Sequence, residues 1–371
     1  MPTADELLSA DTVSSLADLL ARATGRAASP ALTARAAALD GLGFSVRVAA
    51  VRDAVLADLP EDWAAFEAVV RTALEDPAFT GWMTAPVNEA VAVRGLEAFE
   101  PGLALLRELT PRLTAESAVR PFLRADPARA LAVIGDWTAD PDPHVRRLAS
   151  EGTRPRLPWA PQLPAFVADP RPAVPLLDAL HRDESAYVRR SVSNHLNDIS
   201  RDHPALAVET AARWLVDPGA TTDRVVRHGL RTLIKAGAPE VMTLLGHSPD
   251  VPVTVTGPLV TTPHVAVGEH LVFTYEITHT GPEPAELVVD YVVHHVKANG
   301  ARTPKVFKLT TRTLAPGQTL TGTRRHSFKP ITTRRYHSGE HLVQIQINGR
   351  VRGEAPFSLD APGPGPAEPA V

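Results

Sequence analysis

Apolar residues recur at helical spacing through the first two thirds of the chain. In the segment DWAAFEAVVRTALED, Phe66, Val69, Val70 and Leu74 fall on one face of a predicted helix. The segment DTVSSLADLLARATG begins with Asp11 as a helix cap and ends at Gly25, two signals that bound a helix. Proline and glycine break the pattern often, so the sequence predicts many short helices up to residue 248.

A short motif recurs within this helical part. The segment DPHVRRLASEG (142–152) aligns with SAYVRRSVSNH (185–195), 43 residues later, and DRVVRHGLRT (223–232) follows after 38 more. Periods near 40 residues are typical of HEAT-like helical repeats, whose helix pairs stack into a solenoid. The repeat phase predicts a basic track along one surface, formed by Arg147, Arg190 and Arg227 or Arg231. For each arginine a bond to a neighbouring repeat is the alternative.

Beyond residue 250 the pattern changes to strict alternation. Segments such as HLVFTYEITHT and EHLVQIQINGRV alternate apolar with polar residues and are rich in Val, Thr, Ile and Tyr. The dipeptide Asn348-Gly349 is a hairpin signal. About seven short strands in this region indicate an Ig-like sandwich, which packing alone must hold because the chain has no cysteine.

The predicted fold class is therefore a multidomain α and β protein, with an N-terminal HEAT-like α-solenoid followed by an Ig-like β-sandwich. The predicted domains are 1–248 for the solenoid and 252–360 for the sandwich. The segment 361–371 is rich in proline and is predicted to be disordered.

Composition narrows the location and the chemistry. The absence of cysteine excludes disulfides and thiolate metal sites. The acidic N-terminus lacks the apolar core of a signal peptide, and no run of about 18 apolar residues is present to span a membrane. We expect a soluble, cytoplasmic protein.

Charge is distributed unevenly along the chain. Residues 1–100 hold 7 Arg against 15 Asp and Glu, whereas residues 251–360 hold 12 Lys and Arg against 8 acids. The net charge of −4 argues weakly against a nucleic-acid partner. The difference in charge between the two ends of the chain instead indicates an acidic outer part and a basic surface that binds the partner.

Three acids and one tryptophan are candidates for chemistry. In repeat phase Glu151 matches Asn194, and Asp198 lies one helical turn further along the same face. Glu151 and Asp198 are therefore predicted to enter one groove from adjacent repeats, the alternative being solvated or arginine-paired surface acids. Glu116 is the third acid, in LTAESAVRPFLR. Trp159, after a proline-bounded turn, is either a core residue or a ring presented to a cation.

Other catalytic motifs are missing. The sequence has no GxGxxG opening a helix, no P-loop and no HExxH. Its 14 histidines are scattered, and the adjacent pair His294-His295 falls on a predicted strand with alternating faces. We therefore expect neither a metal nor another cofactor.

Several segments together are similar to one protein family. In chain order the segments are GWMTAPVNEAV, LTAESAVRPFL, VRRLASEGTRPRLPW, YVRRSVSNHLNDISRDHP and VVRHGLRTLIKAG. They lie in the order of the family across about residues 30–245. They resemble the AlkC family of bacterial DNA alkylation-repair glycosylases, which includes members with an Ig-like C-terminal domain. The resemblance implies HEAT-like repeats that excise cationic alkylated bases, such as 3-methyladenine and 3-methylcytosine, from double-stranded DNA during base excision repair.

The resemblance also assigns roles to residues. It implies catalytic roles for Glu151, Asp198 and Glu116, and places Trp159 beside the lesion. The predicted DNA contacts are Arg147, Arg154, Arg156, Arg190, Asn194, Asn197, Arg227, Arg231, Arg324, Arg325, Arg334 and Arg335. The partner would be duplex DNA with no membrane involved, and the protein would act as a monomer in the bacterial cytoplasm, at the nucleoid.

These residue types suit the reaction. A base methylated on a ring nitrogen is already cationic, so it leaves without a general acid, and a carboxylate opposes the charge that develops on the sugar. Arginines bind phosphates independently of sequence. The resemblance implies cleavage without full base flipping, and we expect it here because the sequence shows no obvious aromatic pocket. Two alternatives remain: a non-catalytic HEAT-repeat binder of damaged or distorted DNA, and a protein scaffold with an adhesive Ig-like domain.

Overall fold

The computed structural model describes residues 3–331 and 334–361, so most of the proline-rich tail lies outside the described residues. The chain divides into two compact units, one ending at Gly229 and the other beginning at Leu230. The first unit is helical, and the second contains two short helices followed by β-strands. The predicted fold class is confirmed. The predicted domain boundary at residue 248 stays a prediction. By their contacts, the last two helices group with the strands.

The described part of the first unit contains fifteen α-helices. They are α1 (Ala4–Leu7), α2 (Ala10–Thr24), α3 (Pro30–Ala36), α4 (Phe44–Asp58), α5 (Trp63–Glu75), α6 (Thr84–Gly95), α7 (Phe99–Leu109), α8 (Arg120–Ala125), α9 (Pro127–Asp136), α10 (Pro143–Glu151), α11 (Pro164–Ala168), α12 (Val174–Leu180), α13 (Ala186–Asp202), α14 (Pro204–Val216) and α15 (Thr222–Gly229). Short 3-10 turns lie at Gly81–Met83, Trp137–Ala139 and Arg171–Ala173.

The limits of α2 show how local chemistry sets the helices. The helix begins one residue before the predicted cap, because the side chain of Ser9 accepts a hydrogen bond from the amide of Thr12 at 3.1 Å. Asp11 therefore lies inside the first turn. Gly25 ends the helix as predicted, in the left-handed conformation with φ 65° that glycine adopts readily.

The recurring motif occupies equivalent places in successive helices. Val145, Val188 and Val226 are all buried. Arg146 donates to the carbonyl oxygens of the residues six and five positions earlier, at 2.9 and 3.0 Å, and Arg189 makes the same pair of bonds. The first arginine of each pair therefore ties the start of its own helix to the preceding loop, whereas the predicted basic track involves the second arginine.

The second unit opens with α16 (Arg231–Ala236) and α17 (Pro239–Leu244). Its strands are β1 (Val253–Val260), β2 (His264–Ala266), β3 (His270–His279), β4 (Ala285–Val296), β5 (Arg302–Leu314), β6 (Thr319–Ser327), β7 (Gly339–Ile347) and β8 (Arg350–Asp360). One sheet has the order β1-β3-β6 and the other β2-β8-β7-β4-β5, antiparallel except for the pair β2 and β8. The pattern missed β2, because three residues are too few to show alternation.

The predicted Asn-Gly hairpin joins β7 to β8. Asn348 has φ 47° and Gly349 has φ 82°, so both turn residues are left-handed. The Asn348 side chain is 1% exposed. Its Oδ1 accepts from the amide of Val288 at 2.8 Å, and its Nδ2 donates to the carbonyl of Ser248 at 2.9 Å. The turn is therefore fastened to two other parts of the unit.

Three buried histidines surround Phe328 in the sandwich core. The ring centres of His295, His326 and His341 lie 5.9, 5.0 and 6.2 Å from that of Phe328. Burial lowers the pKa of His295 to about 3 and that of His326 to about 4, and it also lowers the pKa of His341. His295 Nε2 accepts a hydrogen bond from Nη1 of Arg334 at 2.7 Å. The three rings are therefore neutral core residues at neutral pH.

Candidate active site

Glu151 and Asp198 lie together at the contact between two helices. Glu151 is the last residue of α10 and Asp198 lies in α13, and both are at least 95% buried. Arg154, just beyond α10, joins them: its Nη1 is 2.5 Å from Oε1 of Glu151 and its Nε is 2.8 Å from Oδ2 of Asp198. Adjacent repeats thus bring the two predicted acids to one guanidinium.

Glu116 joins the same network through a second arginine. Nη1 of Arg147 lies 2.5 Å from Oε2 of Glu116, and its Nη2 lies 3.4 Å from Oε1 of Glu151. Thr114 also donates to Glu116, at 3.0 Å. We call Glu116, Arg147, Glu151, Arg154 and Asp198 the acid–arginine cluster. Of the four arginines near Glu151 in sequence, Arg147 and Arg154 reach it.

The other two arginines of that stretch face elsewhere. Arg146 is held by Asp183 at 2.7 Å, and Arg156 by Asp202 at 2.8 Å. Their guanidinium groups belong to separate ion pairs, outside the acid–arginine cluster.

Two cluster contacts were missed by the sequence analysis. Ser191 donates to Oε2 of Glu151 at 2.6 Å, and the ring of Tyr187 lies 5.1 Å from the guanidinium carbon of Arg147. A signal for Ser191 was available, because it takes the repeat position that Leu148 fills with an apolar side chain. A polar residue at a core position of a repeat indicates a buried polar partner.

Burial shapes the electrostatics of the cluster. It raises the pKa of Asp198, and the hydrogen bond and charge of Arg154 oppose that rise. Arg120 lies close by, and burial lowers its pKa to about 10. Its guanidinium donates to the carbonyl oxygens of Gly152, Arg154 and Pro161 at 2.8 to 3.0 Å. Arg120 therefore fastens the loop 152–161 to the start of α8.

That loop presents Trp159 to solvent. The side chain is 76% exposed, and its backbone has φ 62°, a left-handed conformation that is rare for a bulky residue. The ring borders a cleft of about 410 Å³, which is also lined by Phe44, Trp82 and Glu116. The sequence did not reveal this aromatic cleft, because Phe44 and Trp82 lie far from Trp159 along the chain.

The predicted DNA contacts of the helical unit have mixed surroundings. Arg190 is exposed, whereas Arg227 is paired with Asp223 at 2.9 Å. Asn194 lies 3.2 Å from a ring nitrogen of His228, and Asn197 is buried. Arg147 and Arg154 belong to the acid–arginine cluster, where Arg154 is 7% exposed. Phosphate contact by these residues stays a prediction.

The predicted contacts of the second unit lie on and beside β6. Arg324, Arg325 and Arg335 are exposed, and the Arg324 guanidinium carbon lies 5.6 Å from the Tyr291 ring centre. Arg334 instead donates into the core, to His295. Arg231 opens α16, so it belongs to this unit and not to the helical repeats. DNA contact by these residues also stays a prediction.

Two kinds of site are absent from the part of the chain that the structure describes. Among residues 3–331 and 334–361, no group of three or more His, Asp or Glu side chains is arranged to hold a metal ion. No helix in this described part is both long and apolar enough to cross a membrane.

Comparison with known proteins places the chain in a family. A family model described as "Uncharacterised protein YhaZ, C-terminal Ig-like domain" matches residues 254–361. The uncharacterized protein YhaZ of Bacillus subtilis (strain 168) is 37% identical over 283 residues, which cover 76% of this chain and 78% of YhaZ. The solved structure of Pseudomonas fluorescens alkylpurine DNA glycosylase AlkC, bound to DNA containing an abasic site analog, has a TM-score of 0.83. It is 34% identical and covers 97% of this chain and 100% of its own.

The chain belongs to the AlkC family of DNA glycosylases. The AlkC match spans both units, so the family includes the Ig-like part as well as the helices. The resemblance to AlkC seen in the sequence segments is thereby confirmed.

Proposed function

We propose that this chain hydrolyses the N-glycosidic bond of cationic alkylated bases, such as 3-methyladenine and 3-methylcytosine, in duplex DNA. The observation that carries the proposal is the buried acid–arginine cluster beside an exposed tryptophan ring. Membership of the AlkC family supports the reaction class. The protein would act as a monomer in the bacterial cytoplasm, at the nucleoid.

The charge of the cluster favours a cationic substrate. Its ion-paired groups are three carboxylates and two guanidiniums, which leaves one negative charge uncompensated. The guanidinium of nearby Arg120 forms no ion pair with the cluster and donates its hydrogen bonds to backbone carbonyls, although its charge acts on Glu116 and Asp198. A cationic nucleoside would neutralise the net charge of the cluster, whereas a neutral nucleoside would not. The resulting difference in interaction energy is large in a buried site. The ring of Trp159 would add a cation–π contact.

The reaction needs one proton acceptor and no cofactor. As the bond between C1′ and the base nitrogen breaks, its electron pair neutralises the cationic base and leaves positive charge on the sugar. A water oxygen then bonds to C1′ and gives up a proton. We assign that proton to Asp198, because burial raises its pKa and so makes it a stronger base than an ordinary carboxylate. Glu151 and Glu116 would stabilise the charged sugar.

The exposed arginines would hold the duplex. Arg190 in the helical unit and Arg324, Arg325 and Arg335 in the sandwich are free to face solvent, as phosphate contacts require. Cleavage without full base flipping is part of the proposal. A structure of a lesion complex with the base turned fully out of the helix into a closed pocket would contradict that part.

The deciding experiment measures the release of methylated bases from methylated duplex DNA, with DNA binding followed in parallel. We expect release by the wild type, and a loss of about 10²- to 10⁴-fold in Glu151→Gln and Asp198→Asn with binding retained. Asp202→Asn is the matched control. It lies one turn further along α13 but is paired with Arg156, outside the acid–arginine cluster, and should release bases normally.

The alternative functions give different results. If the wild type binds methylated DNA but releases nothing, the chain is a non-catalytic binder of damaged DNA. If Asp202→Asn loses as much activity as Asp198→Asn, the acids act through general charge on α13, and the assigned cluster chemistry is wrong.

A further inference from the structure

Two polar side chains in the aromatic cleft take no part in the acid–arginine cluster. Glu89 lies on α6, half-buried in the cleft wall. Within the described part of the chain it forms no hydrogen bond and no ion pair within 4 Å. Arg52 is the cation whose charge reaches Glu89, but its guanidinium donates to Asp53 at 2.7 and 2.9 Å. Burial raises the pKa of Glu89, so this carboxylate is poorly compensated by the protein itself.

Asn88 borders the same cleft and is also incompletely bonded. Its side chain is 3% exposed, and Nδ2 donates to the carbonyl of Leu113 at 3.2 Å. That bond fixes the orientation of the amide, and Oδ1 is left buried with no partner among the described residues. Nearly all buried polar atoms in proteins are paired. Because Oδ1 is closed to solvent, a donor on a ligand reaches it only if the cleft wall moves slightly.

The remaining walls suit a flat ring. Phe44 and Trp82 meet edge to face with ring centres 5.1 Å apart, and Trp159 borders the cleft as well. The volume of about 410 Å³ lies within the range of small-molecule sites. Aromatic faces favour stacking with a planar ring, and a neighbouring carboxylate favours a ring whose N–H groups can donate hydrogen bonds to it.

We propose that this cleft binds the methylated base after its release from DNA, with Glu89 and Oδ1 of Asn88 accepting hydrogen bonds from its N–H groups. The inference rests on the proposed glycosylase function. It adds a product site next to Glu116, with Trp159 shared between the lesion and the released base. It does not require the base to be flipped out before the bond breaks.

The test uses free base and the full chain without DNA. Free 3-methyladenine is titrated into the protein while tryptophan fluorescence is recorded, because Trp82 and Trp159 line the cleft. We expect a saturable change that weakens by about tenfold or more in Glu89→Gln, the loss expected for a hydrogen bond to a charged acceptor. Glu97→Gln, the same substitution at an exposed site just beyond α6, should bind as the wild type does.

Two further measurements separate recognition from damage to the fold. Glu89→Gln removes a desolvated charge, so its Tm should equal or exceed that of the wild type. In 3-methylhypoxanthine a carbonyl replaces the amino group, so this base should bind the wild type more weakly than 3-methyladenine. The difference in affinity between the two bases should be smaller in Glu89→Gln.

The inference is overturned if the wild type gives no saturable change, or if Glu89→Gln binds as tightly as the wild type. Base release from DNA without free-base binding would remove the product site and leave the proposed function intact. Free-base binding without release from any alkylated DNA would refute the proposed glycosylase function, and the cleft would then be a binding site for a free base and not a product site.

Discussion

Arg154 is the residue on which the positions of both buried acids depend. Its guanidinium reaches Glu151 and Asp198, and each of the three side chains is less than 9% exposed. Replacing it by glutamine would leave two carboxylates buried beside one another. We expect Arg154→Gln to lower the free energy of unfolding of the helical unit by about 3–5 kcal/mol, the usual effect of removing one partner of a buried pair. Urea denaturation followed by circular dichroism measures it.

The control for this prediction is an exposed pair. Arg171 forms a bond to Asp169 at 2.8 Å, but its side chain is 75% exposed, so Arg171→Gln should change stability by less than about 1 kcal/mol. Equal losses in the two variants would show that burial does not decide the strength of the Arg154 pairs.

Among the helices, the end of α10 depends on a glycine. A Cβ added to Gly152 would lie 2.5 Å from Cγ2 of Val119, a buried side chain just before α8. We therefore expect Gly152→Ala to destabilise the protein by about 1–3 kcal/mol and to displace Glu151 enough to slow base release. Thermal denaturation and the release assay measure the two effects.

Gly135→Ala is the matched control, because nothing lies within 4 Å of a Cβ at that position in α9. Alanine is the better helix former, so this variant should gain about 0.5–1 kcal/mol. A loss of stability in Gly135→Ala as large as in Gly152→Ala would rule out the steric explanation.

Within the sandwich, the histidines around Phe328 make stability depend on pH. An unfolded histidine titrates near pH 6.5, whereas in the folded unit the pKa of His295 is about 3 and that of His326 about 4. The unfolded chain therefore binds protons that the folded sandwich does not, and stability is lost as the pH falls below about 6.5. We expect about 1–2 kcal/mol per histidine at about pH 5, measured by calorimetry at neutral and acidic pH.

Glutamine substitutions test the assignment. His326→Gln removes one buried titrating group and should lose less stability on acidification than the wild type. His264→Gln changes an exposed histidine on β2 and should follow the wild type. Parallel pH curves for all three proteins would contradict the prediction.

The elements were easier to predict from the sequence than the site. Periodicity and the recurring VRR motif were enough to predict the helices and their repeat, since Val145 and Val188 recur as core residues. Repeat phase also predicted that Glu151 and Asp198 approach one another, and in the structure Arg154 joins them. The cleft was not predictable, because Phe44, Trp82 and Glu89 come from segments without a repeat signal, and packing between helices brings them to Trp159.

For the whole molecule, the sandwich cations predict how DNA binding responds to salt. Each phosphate contact contributes about 0.9 to the slope of log K against log salt concentration. If Arg324 and Arg325 each contact a phosphate, the double variant with glutamine at both positions should lower that slope by about 1.8. Fluorescence anisotropy with labelled duplex over a range of salt concentrations measures it.

A double variant with glutamine at Arg302 and Arg213 serves as the control. Both arginines are already in ion pairs, with Glu340 at 2.6 Å and Asp178 at 3.1 Å, so the slope should not change. If the Arg324 and Arg325 variant also keeps the wild-type slope, the sandwich does not hold the duplex through these residues.

The hairpin at Asn348 and Gly349 has a consequence for the chemical ageing of the protein. Asparagine before glycine is prone to deamidation, because the glycine nitrogen can attack the side-chain carbonyl and expel ammonia. Here Val288 and Ser248 hold both atoms of the Asn348 amide, and the residue is 1% exposed. Attack requires that these bonds break first. The folded sandwich therefore protects its own turn, and deamidation at Asn348 would record the time that the unit has spent unfolded.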